Sequence, residues 1–239
     1  MSADHANQSS RDAASTTSDD TPLLTYYHNN HEGRRIDKWS NYFEIYHRHF
    51  GKFRGKSPKV LEIGVAQGGS LRMWKSYFGP EAQIVGLDID ARCKTLEEAQ
   101  IAIRIGDQSN RDILSKLVGE FGHFDIVIDD GSHHMAQVKR AFEFLYPNVS
   151  KDGAYLIEDM HTAYWKEYGG GYRHPKSFIE FAKGLIDQLN AWHSQDTEVF
   201  AVDAFTDSTY AISFYDSIVV FDKRQMSRAT RCSRGVHSF

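Results

Sequence analysis

Two short stretches concentrate side chains able to hold a cation and move a proton. The first is Asp129-Asp130-Gly131-Ser132-His133-His134 and the second is Glu158-Asp159-Met160-His161. Each follows a short apolar run, Phe124–Ile128 and Ala154–Ile157, that suits a buried strand. Adjacent strands of an open α/β sheet end side by side on the carboxyl edge, where ligands bind. Asp130, Glu158 and Asp159 can therefore converge although they are distant in sequence. Three carboxylates at contact distance repel one another, and a hard cation such as Mg²⁺, held by a few carboxylates plus waters and substrate oxygens, resolves the conflict. Such an ion lowers the pKa of a bound hydroxyl or diol and orients it for attack. A base must then take the proton. His133, three residues past Asp130, suits that task, with His134 and His161 as competitors, so His133 and Asp130 are the catalytic candidates. Two plainer readings stand beside this one. Asp129 or Ser132 can simply cap the next helix, and two histidines with one carboxylate can hold Fe(II), as in a non-haem oxygenase.

A second set of residues reads as a nucleoside site. Val60–Val65 is a strand, Ala66-Gln67-Gly68-Gly69 a turn of small residues, and Ser70 a helix start. Glycine lets a ligand approach the backbone closely, and a helix N-terminus carries unsatisfied N–H groups. Glu62, two residues before Gly64, would repel a pyrophosphate but suits a cationic, phosphate-free ligand. Gly86-Leu87-Asp88 ends the next strand with a carboxylate able to accept from both ribose hydroxyls, and Gly106-Asp107 offers an acceptor for an adenine amino group. The candidate cofactor-binding set is Glu62, Gly64, Gly68, Ser70, Asp88, Asp107, Gln108 and Asp129. The competing reading makes Asp88 and Asp107 ordinary turn residues at strand ends.

These residues need a scaffold that brings strand ends together, and the chain supplies its pattern. Val- and Ile-rich runs at Val60–Val65, Gln83–Leu87, Ile101–Ile105, Phe124–Ile128 and Ala154–Ile157 alternate with helix-like Ser70–Phe78, Arg92–Gln100, Asn110–Glu120 and Ala136–Tyr146. Such alternation predicts an α/β fold, a doubly wound and mostly parallel sheet. A further helical pattern covers Pro175–Ala191, and Tyr210–Tyr215 with Ile218–Phe221 predicts an antiparallel hairpin. Upstream, Trp39, Tyr42, Phe43 and Tyr46 fall at helical spacing, as a helix packed on the domain or as an aromatic lid. Glycines 169–171, flanked by Tyr164, Trp165 and Tyr172, would permit a mobile flap or a structural turn.

The order Glu62-x-Gly64, Gly86-x-Asp88, Gly106-Asp107 and Phe124–Asp129 resembles the class I S-adenosylmethionine-dependent methyltransferases. That resemblance implies a seven-stranded Rossmann-like sheet, with Gly64 against the methionine portion of the cofactor, Asp88 at the ribose and Asp107 at the adenine. Ile128–His134 and Leu156–Thr162 are similar to the metal-dependent sugar O-methyltransferases of macrolide biosynthesis, of the mycinamicin III and demethylmacrocin type. This closer likeness implies S-adenosyl-L-methionine and Mg²⁺ as cofactors, Asp130, Glu158 and Asp159 as metal ligands, and His133 as general base. The expected acceptor is a hydroxyl of a small glycosylated natural product. A cofactor-binding protein without catalysis is the alternative, though it would have no use for an intact acid cluster.

Composition narrows the remaining classes. The 239 residues suit one α/β domain, expected over residues 59–223 after an aromatic helical segment at 21–58. Lys+Arg 28 against Asp+Glu 32 gives a net charge of −4, no basis for a nucleic acid or an anionic membrane as main partner. Two cysteines, Cys93 and Cys232, are too few for a disulfide framework and read as free thiols in a reducing cytoplasm. No run approaches the roughly 18 apolar residues of a membrane span. Residues 1–20 are almost wholly small and polar and read as a disordered tail without signal-peptide character, and residues 224–239 read as a basic tail. Homo-oligomerisation is left open.

Overall fold

Near-continuous apolar strands need helices on both faces, and both faces are covered. The computed structural model describes residues 21–236 and 238, so the expectation for residues 1–20 lies outside the described residues. Its strands are β1 Lys59–Ile63, β2 Gln83–Asp88, β3 Ile101–Ile105, β4 Phe124–Asp129, β5 Val149–Ile157, β6 Thr209–Tyr215 and β7 Ile218–Lys223. They form one sheet in the order β3-β2-β1-β4-β5-β7-β6. Neighbours are parallel except at β7, which runs antiparallel to β5 and to β6. The doubly wound sheet with its C-terminal hairpin is therefore present. Because β7 is reversed, the hairpin turn Asp216-Ser217 lies at the carboxyl end of β5, where Met160 N–H donates to the Ser217 carbonyl.

Helices α1 Pro22–Asn29, α2 Tyr42–Phe50 and α3 Gly69–Phe78 cover one face. There Val60, Ile84, Ile126 and Leu156 meet Leu23, Tyr46, Trp74 and Phe78. On the other face α4 Arg111–Phe121, α5 Met135–Leu145 and α6 Phe178–Leu189 bring Leu114, Phe142 and Phe178 onto Leu61, Val85, Val127 and Tyr155. A short α7, Ala204–Ser208, leads into β6. Among the described residues no helix is long and apolar enough to cross a membrane.

One open reading is settled and one local expectation changes. The aromatic segment is core: Tyr42, Phe43, Tyr46 and Phe50 are buried, and Tyr46 packs edge-on against Trp74 with ring centroids 5.0 Å apart. Burying each large apolar side chain contributes roughly 1.5–3 kcal/mol, enough to fix this helix as part of the domain rather than a lid. Trp39 precedes the helix and is 60% exposed. Arg92–Gln100 forms only a 3₁₀ turn over Ala91–Leu96. Its carboxylates serve tertiary partners instead: Glu97 accepts from the Ile103 N–H, and Glu98 accepts from Arg72 and Lys75.

Candidate active site

The strand order reverses between β1 and β4, and ligand clefts in such sheets open beyond the strand ends at that point. Gly64 occupies it with φ +90°, and a Cβ there would stand 2.0 Å from the Asp130 carbonyl oxygen. Only glycine lets the β1 and β4 loops approach so closely.

The first cleft is lined by Gly64, Leu87, Asp88, Ile89, Gly106, Asp107, Gln108 and Ser132, among others. Asp88 braces its loop: Oδ2 accepts from the Val65 and Ala66 N–H groups at 2.7 and 3.0 Å, and Oδ1 from the Asp90 N–H at 2.8 Å. Asp107 commits Oδ1 to the Ser109 N–H and hydroxyl. Gln108 bridges two loops, donating to Asp129 Oδ1 at 3.0 Å and accepting from the Ser132 N–H at 2.7 Å. Ile89, 75% exposed, offers an apolar patch on the rim. Four of the expected cofactor residues, Glu62, Gly68, Ser70 and Asp129, stand outside this cleft. Gly68 begins α3 and lies against Leu96 and Arg34. Asp129 is 1% exposed and turned inward to Gln108 and Tyr155, and burial pushes its pKa up to about 7. Glu62 is fully buried behind Ser70, whose hydroxyl donates to Glu62 Oε2 at 2.9 Å.

A second cleft joins Gly64–Gln67, Ser70 and Asp130 to Arg35–Lys38, and a third, of about 640 Å³, is lined by Asp37–Ser40, Tyr42, Asp130, Glu158, Asp159 and His161. Lys38 and Asp130 line both.

The acidic residues here divide into two groups that share Asp130. In the inner group Asp130 joins Glu62 and Glu158, with the Lys38 ammonium between them. Lys38 Nζ donates to Asp130 Oδ2 at 2.5 Å and to Glu158 Oε1 and Oε2 at 2.9 and 2.8 Å, and lies 3.6 Å from Glu62 Oε1. Its side chain is 3% exposed. Burial opposes the ammonium, but Asp130, Glu158 and Glu62 outweigh it and hold the Lys38 pKa well above the lysine range. Burial also raises Glu158 well above the carboxylate range and Glu62 to about 7, with Lys38 opposing both shifts.

In the outer group Asp130 joins His133 and Asp159, at 3.9 Å from His133 Nε2 to Asp130 Oδ1 and 3.6 Å to Asp159 Oδ2. His133 and Asp159 both have left-handed backbones, φ +57° and +54°. Such conformations cost roughly 1–3 kcal/mol each in non-glycine residues and cluster at functional sites. With Lys38 in place, Asp130 is shared between the two groups, Glu158 facing Lys38 and Asp159 facing His133. Of the three histidines, His133 points at both carboxylates. His161 Nδ1 is hydrogen-bonded with the Ser217 hydroxyl at 2.6 Å and lies 4.0 Å from Asp159. His134 is exposed at the start of α5, its ring packed on Tyr168. Neither group of converging donors among the described residues contains two histidines, so the Fe(II) reading finds no counterpart in them.

The sequence marks neither Lys38 nor the hydroxyl of Tyr42 as part of the site. Tyr42 Oη donates to Asp159 Oδ1 at 2.6 Å. Lys38 is separated from its partners by 92 and 120 residues, and no local spacing marks it. The aromatic periodicity flags Tyr42 as a core residue without showing its polar end.

The strand order, the reversal-point cleft and its acidic neighbour define the class I S-adenosylmethionine-dependent methyltransferase fold. Relatives that the chain matches are named O-methyltransferases. The chain is 48% identical over 151 residues to mycinamicin VI 2''-O-methyltransferase of Micromonospora griseorubida, covering 60% of this chain and 37% of that protein. It is 33% identical over 210 residues to 8-demethyl-8-(2-methoxy-alpha-L-rhamnosyl)-tetracenomycin-C 3'-O-methyltransferase of Streptomyces olivaceus, covering 84% of this chain and 53% of that protein. Among solved structures, the MycE methyltransferase of the mycinamycin pathway in complex with Mg, SAH and mycinamycin VI superposes with a TM-score of 0.77 and 32% identity, covering 86% of this chain and 54% of that one. The chain therefore spans about half, or less, of the length of the relatives it matches. No protein-family model matches it.

Proposed function

We propose that the protein is an S-adenosylmethionine- and Mg²⁺-dependent O-methyltransferase that methylates a hydroxyl of a small glycosylated natural product in the cytoplasm, most simply a sugar on a macrolide or related scaffold. The observation that carries this reading is the convergence of His133 with Asp130 and Asp159, which line the third cleft. The donor set fits a hard divalent ion: oxygen-rich, with one imidazole alongside. In the inner group that shares Asp130, Glu62 Oε1 adds a buried carboxylate oxygen without a hydrogen-bond partner. The first cleft fits a nucleoside, with the Asp88 and Asp107 carboxylates spaced along it and Ile89 as an apolar rim.

When bound, the metal would polarise the acceptor hydroxyl and S-adenosylmethionine would supply the methyl group. The protein's own part is positional. Asp130 and Asp159, with Glu158, would hold the metal, and His133 Nε2, facing both outer carboxylates, would take the hydroxyl proton. Asp88 would accept from the ribose, Asp107 from the adenine, and Gly64 would leave room for the methionine arm. Holding donor and acceptor in line supplies the largest part of such a rate enhancement.

The test is methyl transfer from labelled S-adenosylmethionine to mycinamicin VI or a rhamnosylated tetracenomycin, with Mg²⁺ and with chelator. Product that appears only with Mg²⁺ supports the reading, and equal product with chelator removes the metal from it. No calorimetric binding of S-adenosylmethionine under either condition overturns it altogether.

A further inference from the structure

Residues 30–41 cross from α1 to α2 as a strap with neither helix nor strand. Asn30 donates to the Arg34 carbonyl, Arg34 donates to the Leu96 carbonyl, and Ile36 is buried. Beyond Ile36 the residues Asp37, Trp39, Ser40 and Asn41 are all exposed, and only the Lys38 side chain enters the interior. It ends among three carboxylates, on the wall shared by the second and third clefts.

We propose that Lys38 is a built-in cation of the acid pocket, and that a divalent metal taking Asp130 and Glu158 must displace it, releasing the strap from the wall between the two clefts. The inference rests on the metal-dependent reading above. An ammonium has three N–H donors, and Lys38 spends them on one oxygen of Asp130 and both of Glu158. Glu62 Oε1, fully buried and 3.6 Å from Nζ, is left without a hydrogen bond. The pocket thus holds more carboxylate than one ammonium can satisfy, and a doubly charged ion matches it better. Mg²⁺ takes its oxygens at about 2.0–2.1 Å and would compete with Lys38 directly at Glu158, both of whose oxygens Lys38 holds, and at Asp130 Oδ2. Two cations cannot share both carboxylates at contact distance, because in this buried setting their repulsion is only weakly screened. Nor can the pocket stand without either, since removing one partner of a buried ionic cluster leaves uncompensated charge. Exchange of one cation for the other keeps a positive charge among the carboxylates throughout.

The experiment uses the intact protein with Mg²⁺ alone as probe. Lysine acetylation is followed by mass spectrometry with and without saturating Mg²⁺, and Mg²⁺ binding is measured by calorimetry in parallel. Lys38 should resist acetylation in the metal-free protein and become severalfold more reactive with Mg²⁺, while exposed Lys151 and Lys176 stay unchanged. Lys38→Met should bind Mg²⁺ about tenfold more tightly, the competing positive charge being gone. If Mg²⁺ binds while Lys38 stays protected, the proposal is wrong even if methyl transfer is metal-dependent. Should Lys38→Met fail to fold, the labelling of the wild-type protein still decides. If Mg²⁺ does not bind the wild-type protein at all, the proposal and the metal-dependent reading fall together.

Discussion

Tyr42 Oη lies 2.6 Å from Asp159 Oδ1 and 2.9 Å from Ser217 Oγ, so α2 and the β6–β7 turn together hold a carboxylate that ends β5. Burial and the Asp159 contact raise the Tyr42 pKa far above the tyrosine range, so the phenol remains a donor at any working pH. Asp159 in turn presents its other oxygen to His133. A residue 117 positions away in sequence therefore sets the orientation of a candidate metal ligand.

Tyr42→Phe keeps the buried ring and removes only the hydroxyl. Loss of an outer hydrogen bond to a metal ligand typically costs about 10- to 100-fold in metal affinity or activity. The variant should lose Mg²⁺ affinity in that range while S-adenosylmethionine binding is kept. Calorimetry with each ligand separates the two, and unchanged Mg²⁺ affinity would show that Asp159 is held without Tyr42.

His133→Gln should lower turnover by about 10²- to 10⁴-fold, the usual contribution of a general base, with little change in cofactor binding. His134→Gln should leave turnover near wild type, because His134 is exposed and packs on Tyr168 rather than on the carboxylates. His161→Gln falls between them, since His161 touches Ser217 and reaches Asp159 only at 4.0 Å. Single-turnover rates of the three variants on one acceptor test the ranking. A His161 variant slower than the His133 variant would reassign the base.

How much of this was legible in the sequence depended on the range of the contacts. Asp88, Asp107, Asp130 and Glu158 follow apolar runs directly, and a parallel sheet places such residues along one edge whatever their separation. The sheet itself was legible for the same reason. Adjacent residues were harder: Asp129 and Asp130 differ only in which way the strand end turns them, yet one is sealed against Gln108 and Tyr155 while the other faces both clefts. Gln108 lines the first cleft, and the far contacts that tie both ends of its amide to neighbouring loops leave no local spacing to read. Lys38, Tyr42 and Ser217 were out of reach, because packing of the N-terminal strap and the C-terminal hairpin on the sheet edge brings them in, and neither leaves a local spacing to read.

Gly64→Ala should be among the most damaging single-methyl changes in the chain. The added Cβ would meet the Asp130 carbonyl oxygen at 2.0 Å, a backbone atom that cannot rotate away, at a φ of +90° that favours glycine. Relief requires parting the β1 and β4 loops, which disturbs the first cleft and the Asp130 carboxylate together. The variant should melt several degrees lower, as a loss of about 1–3 kcal/mol implies, and bind neither S-adenosylmethionine nor Mg²⁺ at wild-type strength. Thermal melts with parallel calorimetry check this. A variant of wild-type affinity and stability would mean the loops part freely.

Cys93 gives a pH-dependent probe of the same loop. Its Sγ donates to the Ala66 carbonyl at 3.5 Å, and burial, reinforced by the nearby Asp88 carboxylate, pushes the thiol up to about 11. A raised thiol pKa means the reactive thiolate is scarce below it, roughly one molecule in a thousand at pH 8 if the loop stays closed. Cys232, exposed, should therefore react with iodoacetamide first at pH 8, and Cys93 should lag by orders of magnitude, its rate climbing about tenfold per pH unit toward 11. Occupation of the first cleft should slow Cys93 further, because the ligand would hold Asp88, which in turn holds the Ala66 amide. Mass spectrometry of the two cysteine peptides across pH, with and without S-adenosylmethionine, measures both effects. If Cys93 matches Cys232 at pH 8, the loop beside Asp88 opens in solution, and the closed arrangement of Asp88 on the Val65 and Ala66 amides is then only one of its states.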